Sequence, residues 1–249
     1  MSEFVVVIPS RYASTRLPGK ALRDINGKPM LQHVFERGSE SAARDVFVAT
    51  DDDRIAAAVE NFGGHVCMTG DQHRSGTERI AEVCELMDWS DDLVVVNLQG
   101  DEPTMPAALI DQCAGLLDDS DADIATLASP IASAADFENP NVVKVVCDNN
   151  GNALYFSRSA IPYARGEVEP SDARAAALHH HGIYAYRCGV LRKLVAAEPS
   201  SLEVCEQLEQ LRALSLGMRI RVAVPVAHPG AGVDTKDDLV AAAEQLNSL

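Results

Sequence analysis

The chain has 249 residues, of which 47% are apolar and 23% charged, and its formal net charge is −16. That length buries a sizeable core, and the composition is ordinary for a soluble globular protein. The acidity argues against a nucleic-acid binder, which needs a basic footprint, and no run approaches the roughly 20 apolar residues of a membrane span.

In chain order, the pattern predicts a buried strand at 4–8 (FVVVI), a basic loop to Lys20, and a helix over 29–40 with Pro29 in its first turn. A strand at 46–49 and a helix at 54–62 follow, then a helix at 77–87, a strand at 93–97 and a helix at 106–117. Strands at 124–127 and 142–146 lead into CDNNGNALYF, a hairpin signal. Residues 161–177, with Pro162, Gly166 and Pro170, read as a long loop. A strand at 183–186, a helix at 202–216 closed by Gly217, a strand at 220–224 and a helix at 236–246 complete the chain. Strands alternating with helices indicate an α/β fold, with a mostly parallel central sheet covered by helices on both faces. The expectation is one domain over 1–249, with a smaller β-rich subregion near 130–187. The N-terminus lacks a basic segment followed by a long apolar run, so a cytoplasmic protein is expected. The six cysteines form no CxxC pair, which gives no zinc or redox motif.

The charge is uneven. Residues 1–48 hold seven Lys/Arg against five Asp/Glu. Arg11, Arg16 and Lys20 crowd the loop after the first strand, at the sheet edge where open α/β folds bind ligands. Arg forks match phosphate oxygens, Lys adds a mobile point charge, and Ser14 and Thr15 add hydroxyls. Together they suit a triphosphate. Neither GxxxxGK[ST] nor GxGxxG is present at this strand. Asp101 (in NLQGDEP) and Asp234 (in GVDT) follow two predicted strands and share an edge if those strands are parallel. Two carboxylates with phosphate oxygens and water make a magnesium environment. The plainer alternatives are a turn residue at Asp101 and a helix N-cap at Asp234. Asp51–Asp53 in ATDDD contain a DxD spacing, but more simply cap the helix that follows.

RYASTRLPGK resembles the signature loop of the sugar-activating cytidylyltransferases. INGKPMLQHV, ATDDD, SGTERIAEV, NLQGDEP, YFSR, HGIYAYR, EQLEQLR and GVDT then follow in the order seen in the 3-deoxy-D-manno-octulosonate (KDO) cytidylyltransferases, or CMP-KDO synthetases. The resemblance spans residues 4 to about 240. It implies a Rossmann-like fold of the nucleotide-diphospho-sugar transferase type and the reaction CTP + KDO → CMP-KDO + pyrophosphate. It further implies a homodimer, with small-molecule substrates and no nucleic-acid or membrane partner, and a product that feeds lipopolysaccharide assembly.

Residue by residue, it assigns Lys20, Arg16, Asp101 and Asp234 to catalysis, with Mg²⁺ on Asp101 and Asp234. CTP is assigned to Arg11, Ser14, Arg16, Lys20, Thr50, Ser75 and Gly76. The sugar acid is assigned to Gln99, Arg158, His180, Tyr184, Glu206 and Gln207. Alternation along a strand puts His180, Tyr184 and Tyr186 on one face and His179, His181 and Ile183 on the other. His181 departs from the family, which usually has an aliphatic residue there. The alternatives are a cytidylyltransferase for 8-amino-8-deoxy-KDO or another acceptor (sialic acid, methylerythritol phosphate), a glycosyltransferase using ATDDD, and a CTP-binding regulator without turnover.

Overall fold

The computed structural model describes residues 2–14, 17–118, 120–166 and 168–247. Its strands are β1 (Phe4–Pro9), β2 (Asp24–Ile25), β3 (Lys28–Pro29), β4 (Asp45–Thr50), β5 (His65–Met68), β6 (Val94–Asn97), β7 (Ile124–Pro130), β8 (Lys144–Cys147), β9 (Ala153–Ser157), β10 (Leu178–Arg187) and β11 (Ile220–Ala223). Its helices are α1 (Met30–Ser39), α2 (Asp53–Asn61), α3 (Gly76–Leu86), α4 (Ala107–Gly115), α5 (Ala134–Glu138), α6 (Pro170–Ala175), α7 (Cys188–Ala196), α8 (Ser201–Glu206), α9 (Gln210–Ser215) and α10 (Lys236–Leu246).

The run FVVVI becomes the middle of the main sheet because it is apolar on both faces. β1 pairs in parallel with β4 on one side and β6 on the other. The sheet order is β11-β7-β10-β6-β1-β4-β5. β10 runs antiparallel to both β6 and β7, while β11 runs parallel to β7, so β6 and β11 point the same way. The loops after β1, β6 and β11 therefore leave the sheet at one edge. Successive residues of β1 serve opposite layers. Phe4, Val6 and Ile8 pack with Leu31 and Val34 of α1, Ile55 and Val59 of α2, and Leu109 and Ile110 of α4. Val5 and Val7 pack with Ile80 and Val83 of α3 and Leu191 and Leu194 of α7. Among the described residues no helix is long and apolar enough to cross a membrane.

Besides adding β2, β3, β5 and α5, the structure differs from the sequence-based expectation in four ways that shape the site and its surroundings. The strand expected at 183–186 extends over Leu178–Arg187, and its N-terminal part also pairs with β8, which joins the β8–β9 hairpin to the sheet. The loop expected at 161–177 contains α6, with Pro170 in its first turn. The helix expected at 202–216 is two helices, because Gln207 takes a left-handed conformation (φ 52°) between α8 and α9. Finally, α7 begins directly after β10 without a side-chain cap, which removes the usual sequence signal for a helix start.

Leu191 of α7 is fully buried against this core. Leu191→Ala is expected to cost about 2–5 kcal/mol, the range for a truncated core leucine, read as a lower urea midpoint. A loss under about 1 kcal/mol would contradict the packing of α7 described here.

Candidate active site

The loop leaving β1 curls back so that Gly19, in the left-handed region at φ 66°, starts a 3₁₀ turn over Lys20–Leu22. A side chain at Gly19 would be strained there, and its Cβ would lie 3.2 Å from the Tyr12 hydroxyl. Tyr12 in turn lies under the Arg54 guanidinium, 3.3 Å from ring centroid to Cζ. The turn aims Lys20 at the loops after β6 and β11. Its Nζ donates to Asp101 Oδ2 at 2.7 Å and to Asp234 Oδ1 at 3.0 Å. Burial pulls the Lys20 ammonium down, but Asp101 and Asp234 outweigh that and hold it above its ordinary value. Thr235, not Asp234, caps α10, in a capping box with Asp238, so the Asp234 side chain reaches Lys20 instead.

Around this contact lies a polar cleft of about 310 Å³. Arg11, Ser14, Lys20, Ser75, Gly76, Gln99, Asp101 and Asp234 all line it, having come from four separate stretches of chain. Ser75 caps α3 by accepting from the Glu78 N–H at 3.2 Å, which leaves the N-terminus of an 11-residue helix facing the cleft. Arg16 lies outside the described residues. Thr50 does not line the cleft. It is fully buried at the end of β4, where its hydroxyl oxygen accepts from the Asp52 N–H at 3.3 Å.

Sequence reading missed three residues here. Arg79 lines the cleft, is 5% exposed and forms an ion pair with Asp51 at 3.0 Å. Arg74 adds a further cation to the rim. Glu102 lies beside the two aspartates, and burial first, then the charges of Asp101 and Asp234, push its carboxyl up to about 7. Its place in LQGDEP was visible, but its burial was not. Asp52 caps α2 by accepting from the Arg54 N–H, as the simpler reading of ATDDD had it.

A second, smaller cavity of about 150 Å³ adjoins the first, and Gln99 borders both. His180, Tyr184 and Tyr186 point into it from β10. The register of β10 against β7 shifts between His180 and Tyr184, and the His180 and Tyr184 rings lie 5.2 Å apart. The Tyr184 hydroxyl is buried with no hydrogen-bond partner among the described residues. Burial, then the neighbouring His181 and His179, push His180 down to about 3, so it is neutral at pH 7.

Arg158, Glu206 and Gln207 do not line this cavity, contrary to expectation. The Arg158 guanidinium donates to the carbonyls of Glu206 at 2.8 Å and Pro140 at 3.0 Å, while the buried Lys144 ammonium donates to the Arg158 carbonyl at 2.6 Å. The Glu206 carboxylate accepts from Ser157 Oγ and from the Arg158 N–H. Gln207 is the exposed left-handed residue between α8 and α9. The break there turns the second Glu-Gln pair of EQLEQ inward, and Glu209 and Gln210 line the cavity instead.

The chain matches the cytidylyltransferase family over residues 5–220. It belongs to that family. Among solved structures it is similar to CMP:2-keto-3-deoxy-manno-octonic acid synthetase complexed with CTP, at 44% identity over 99% of both chains, with a TM-score of 0.90. A cytidylyltransferase from Leptospira borgpetersenii serovar Hardjo-bovis (strain JB197) shares the fold at 16% identity, 100% of this chain, 88% of the other and a TM-score of 0.64. A 4-diphosphocytidyl-2C-methyl-D-erythritol synthase from Anaerococcus prevotii DSM 20548 shares it at 14% identity, over 98% and 99%, with a TM-score of 0.63.

His181 donates to or accepts from Ser129 Oγ at 2.7 Å, and burial, then nearby His179 and His228, push it down to about 4. The folded state therefore favours neutral His180 and His181, while the unfolded chain binds protons from about pH 6.5 downward. Their contribution is complete above pH 6.5 and fades as pH falls towards 4. The urea midpoint is expected to drop between pH 7.5 and 5, and to drop less in His181→Asn. A midpoint equally pH-sensitive in that variant would contradict the burial of this pair.

Proposed function

We propose that this cytidylyltransferase moves CMP from CTP to the anomeric hydroxyl of KDO and releases pyrophosphate. The observation that carries the reading is the 44% identity, over 99% of the chain, to a CMP:2-keto-3-deoxy-manno-octonic acid synthetase complexed with CTP. The adjoining polar cavities, one rich in phosphate-binding groups and one in hydroxyl-binding groups, support it.

In this reading the triphosphate occupies the larger cleft. Arg11, Arg16 and Lys20 neutralise its oxygens, while Ser14 and the N-terminus of α3 at Ser75 and Gly76 supply hydrogen-bond donors. The KDO hydroxyl oxygen attacks the α-phosphorus in line. The bond from α-phosphorus to the bridging oxygen breaks, pyrophosphate leaves, and the hydroxyl proton is released. No covalent intermediate is required, so the protein contributes positioning and charge stabilisation.

The acceptor occupies the smaller cavity. Gln99, His180, Tyr184, Glu209 and Gln210 surround its hydroxyls, and the Tyr184 phenol finds there the partner it lacks. Arg158 acts at one remove, by holding the carbonyls at the end of α8.

Magnesium fits the same site. Asp101 and Asp234 offer an all-oxygen donor set, and both already converge on one cation, the Lys20 ammonium. Among the described residues no cluster of three or more ligating side chains occurs. Two carboxylates suffice, because Mg²⁺ takes one or two of them together with phosphates and water. Bound there, Mg²⁺ would neutralise phosphate charge and ease loss of the hydroxyl proton.

A homodimer belongs to the same proposal, supported by the exposed Leu154 on the outer strand of the hairpin.

The test is pyrophosphate release from CTP and Mg²⁺ with KDO, 8-amino-8-deoxy-KDO or sialic acid as acceptor. KDO is expected to give the highest kcat/KM, and a preference for another acceptor would overturn the substrate assignment. In the same assay Lys20→Ala should lower turnover by about 10²-fold, as when a charge contact worth about 3 kcal/mol is lost. Wild-type turnover in that variant would remove Lys20 from the mechanism.

A further inference from the structure

One hydrogen bond joins the two cavities, and the chemistry above does not use it. Ser75 lines the nucleotide cleft, and its hydroxyl donates to Glu209 Oε1 at 3.0 Å. Its oxygen meanwhile accepts from the Glu78 N–H, so the side chain is engaged in both directions. Glu209 lines the sugar cavity. Thr77, which is 3% exposed, also borders that cavity. Ser75 is the N-cap of α3, the segment presented to the nucleotide.

Among the described residues no cation hydrogen-bonds to this carboxylate. The guanidinium of Arg212 instead holds Glu203, at 2.6 and 2.8 Å. Glu209 is thus held by the Ser75 hydroxyl of the nucleotide-side helix. A displacement of that first turn must shift the carboxylate or leave it without this donor in a half-buried site, which is costly.

We propose that Ser75 is a positioning residue that couples the two cavities through Glu209. Nucleotide in the cleft fixes the α3 turn, the turn fixes Glu209, and the sugar cavity binds its acceptor more tightly. By linkage the acceptor tightens nucleotide binding by the same factor. This inference rests on the functional reading above.

Calorimetry on the full chain tests it, with KDO titrated in the presence and absence of α,β-methylene-CTP and Mg²⁺. In the wild type the analogue should tighten KDO by about fivefold or more, the lower end of typical couplings. Ser75→Gly removes the hydroxyl at little cost in capping and should reduce that factor below about twofold. Ser75→Thr keeps the hydroxyl and should keep the factor. Gln99 also borders both cavities, so the decisive quantity is the change on losing one hydroxyl. An unchanged factor in Ser75→Gly overturns the coupling, as does a wild type in which neither ligand affects the other. Pyrophosphate release by the wild type, run alongside, separates the failures. Turnover without coupling removes the Ser75–Glu209 role alone, whereas no turnover removes the functional reading and this inference together.

Discussion

A single ammonium group organises the site. Lys20 lies between Asp101 and Asp234, which are 81 and 214 residues away along the chain. Burying any of the three alone would be unfavourable, since desolvation penalises each charge. Together they compensate one another, and each fixes a different loop. The loop after β1 brings the lysine, the loop after β6 brings Asp101, and the segment after β11 brings Asp234. Parallel β1, β6 and β11 deliver all three to one edge, which is the reason the sheet has to be wound as it is. The Tyr12–Gly19 and Tyr12–Arg54 contacts anchor the lysine's turn from the other side.

The sheet's antiparallel member serves a separate purpose. β10 runs against its neighbours, and its irregular register beside β7 lets His180, Tyr184 and Tyr186 share one cavity next to the phosphate cleft. This second cavity has neutral side chains and the Glu209 carboxyl in place of cations, since burial keeps His180 unprotonated. A polyhydroxylated acceptor is suited to such a lining, and a triphosphate to the cleft beside it. The division between the two cavities is a division of chemistry. The Lys144–Arg158–Glu206 network supports it from behind by holding the hairpin against the junction of α8 and α9.

Much of this was legible in the chain. FVVVI read as a central strand because an element buried on both faces has no polar alternation to confuse it. The basic loop stood out against an acidic protein, and Asp101 and Asp234 stood out as carboxylates just past strands. What was hidden depended on tertiary context. Thr50 follows a strand as a ligand residue would, yet it closes the strand's own turn. Glu206-Gln207 and Glu209-Gln210 are three residues apart, so an unbroken helix would present both pairs on one side. Only the left-handed Gln207 separates them, and glutamine gives no warning of that conformation. Arg158 looked like a free cation because carbonyl acceptors leave no trace in a sequence.

The central claim is that Asp101 and Asp234 act as one unit around a shared cationic position. Pyrophosphate release from CTP and KDO at saturating Mg²⁺ should be compared for Asp101→Asn, Asp234→Asn and the double variant, each checked for native circular dichroism. If the carboxylates work as a unit, the double variant falls no more than about tenfold below the weaker single variant, because the first substitution has already disabled the pair. Losses that multiply independently would contradict the account.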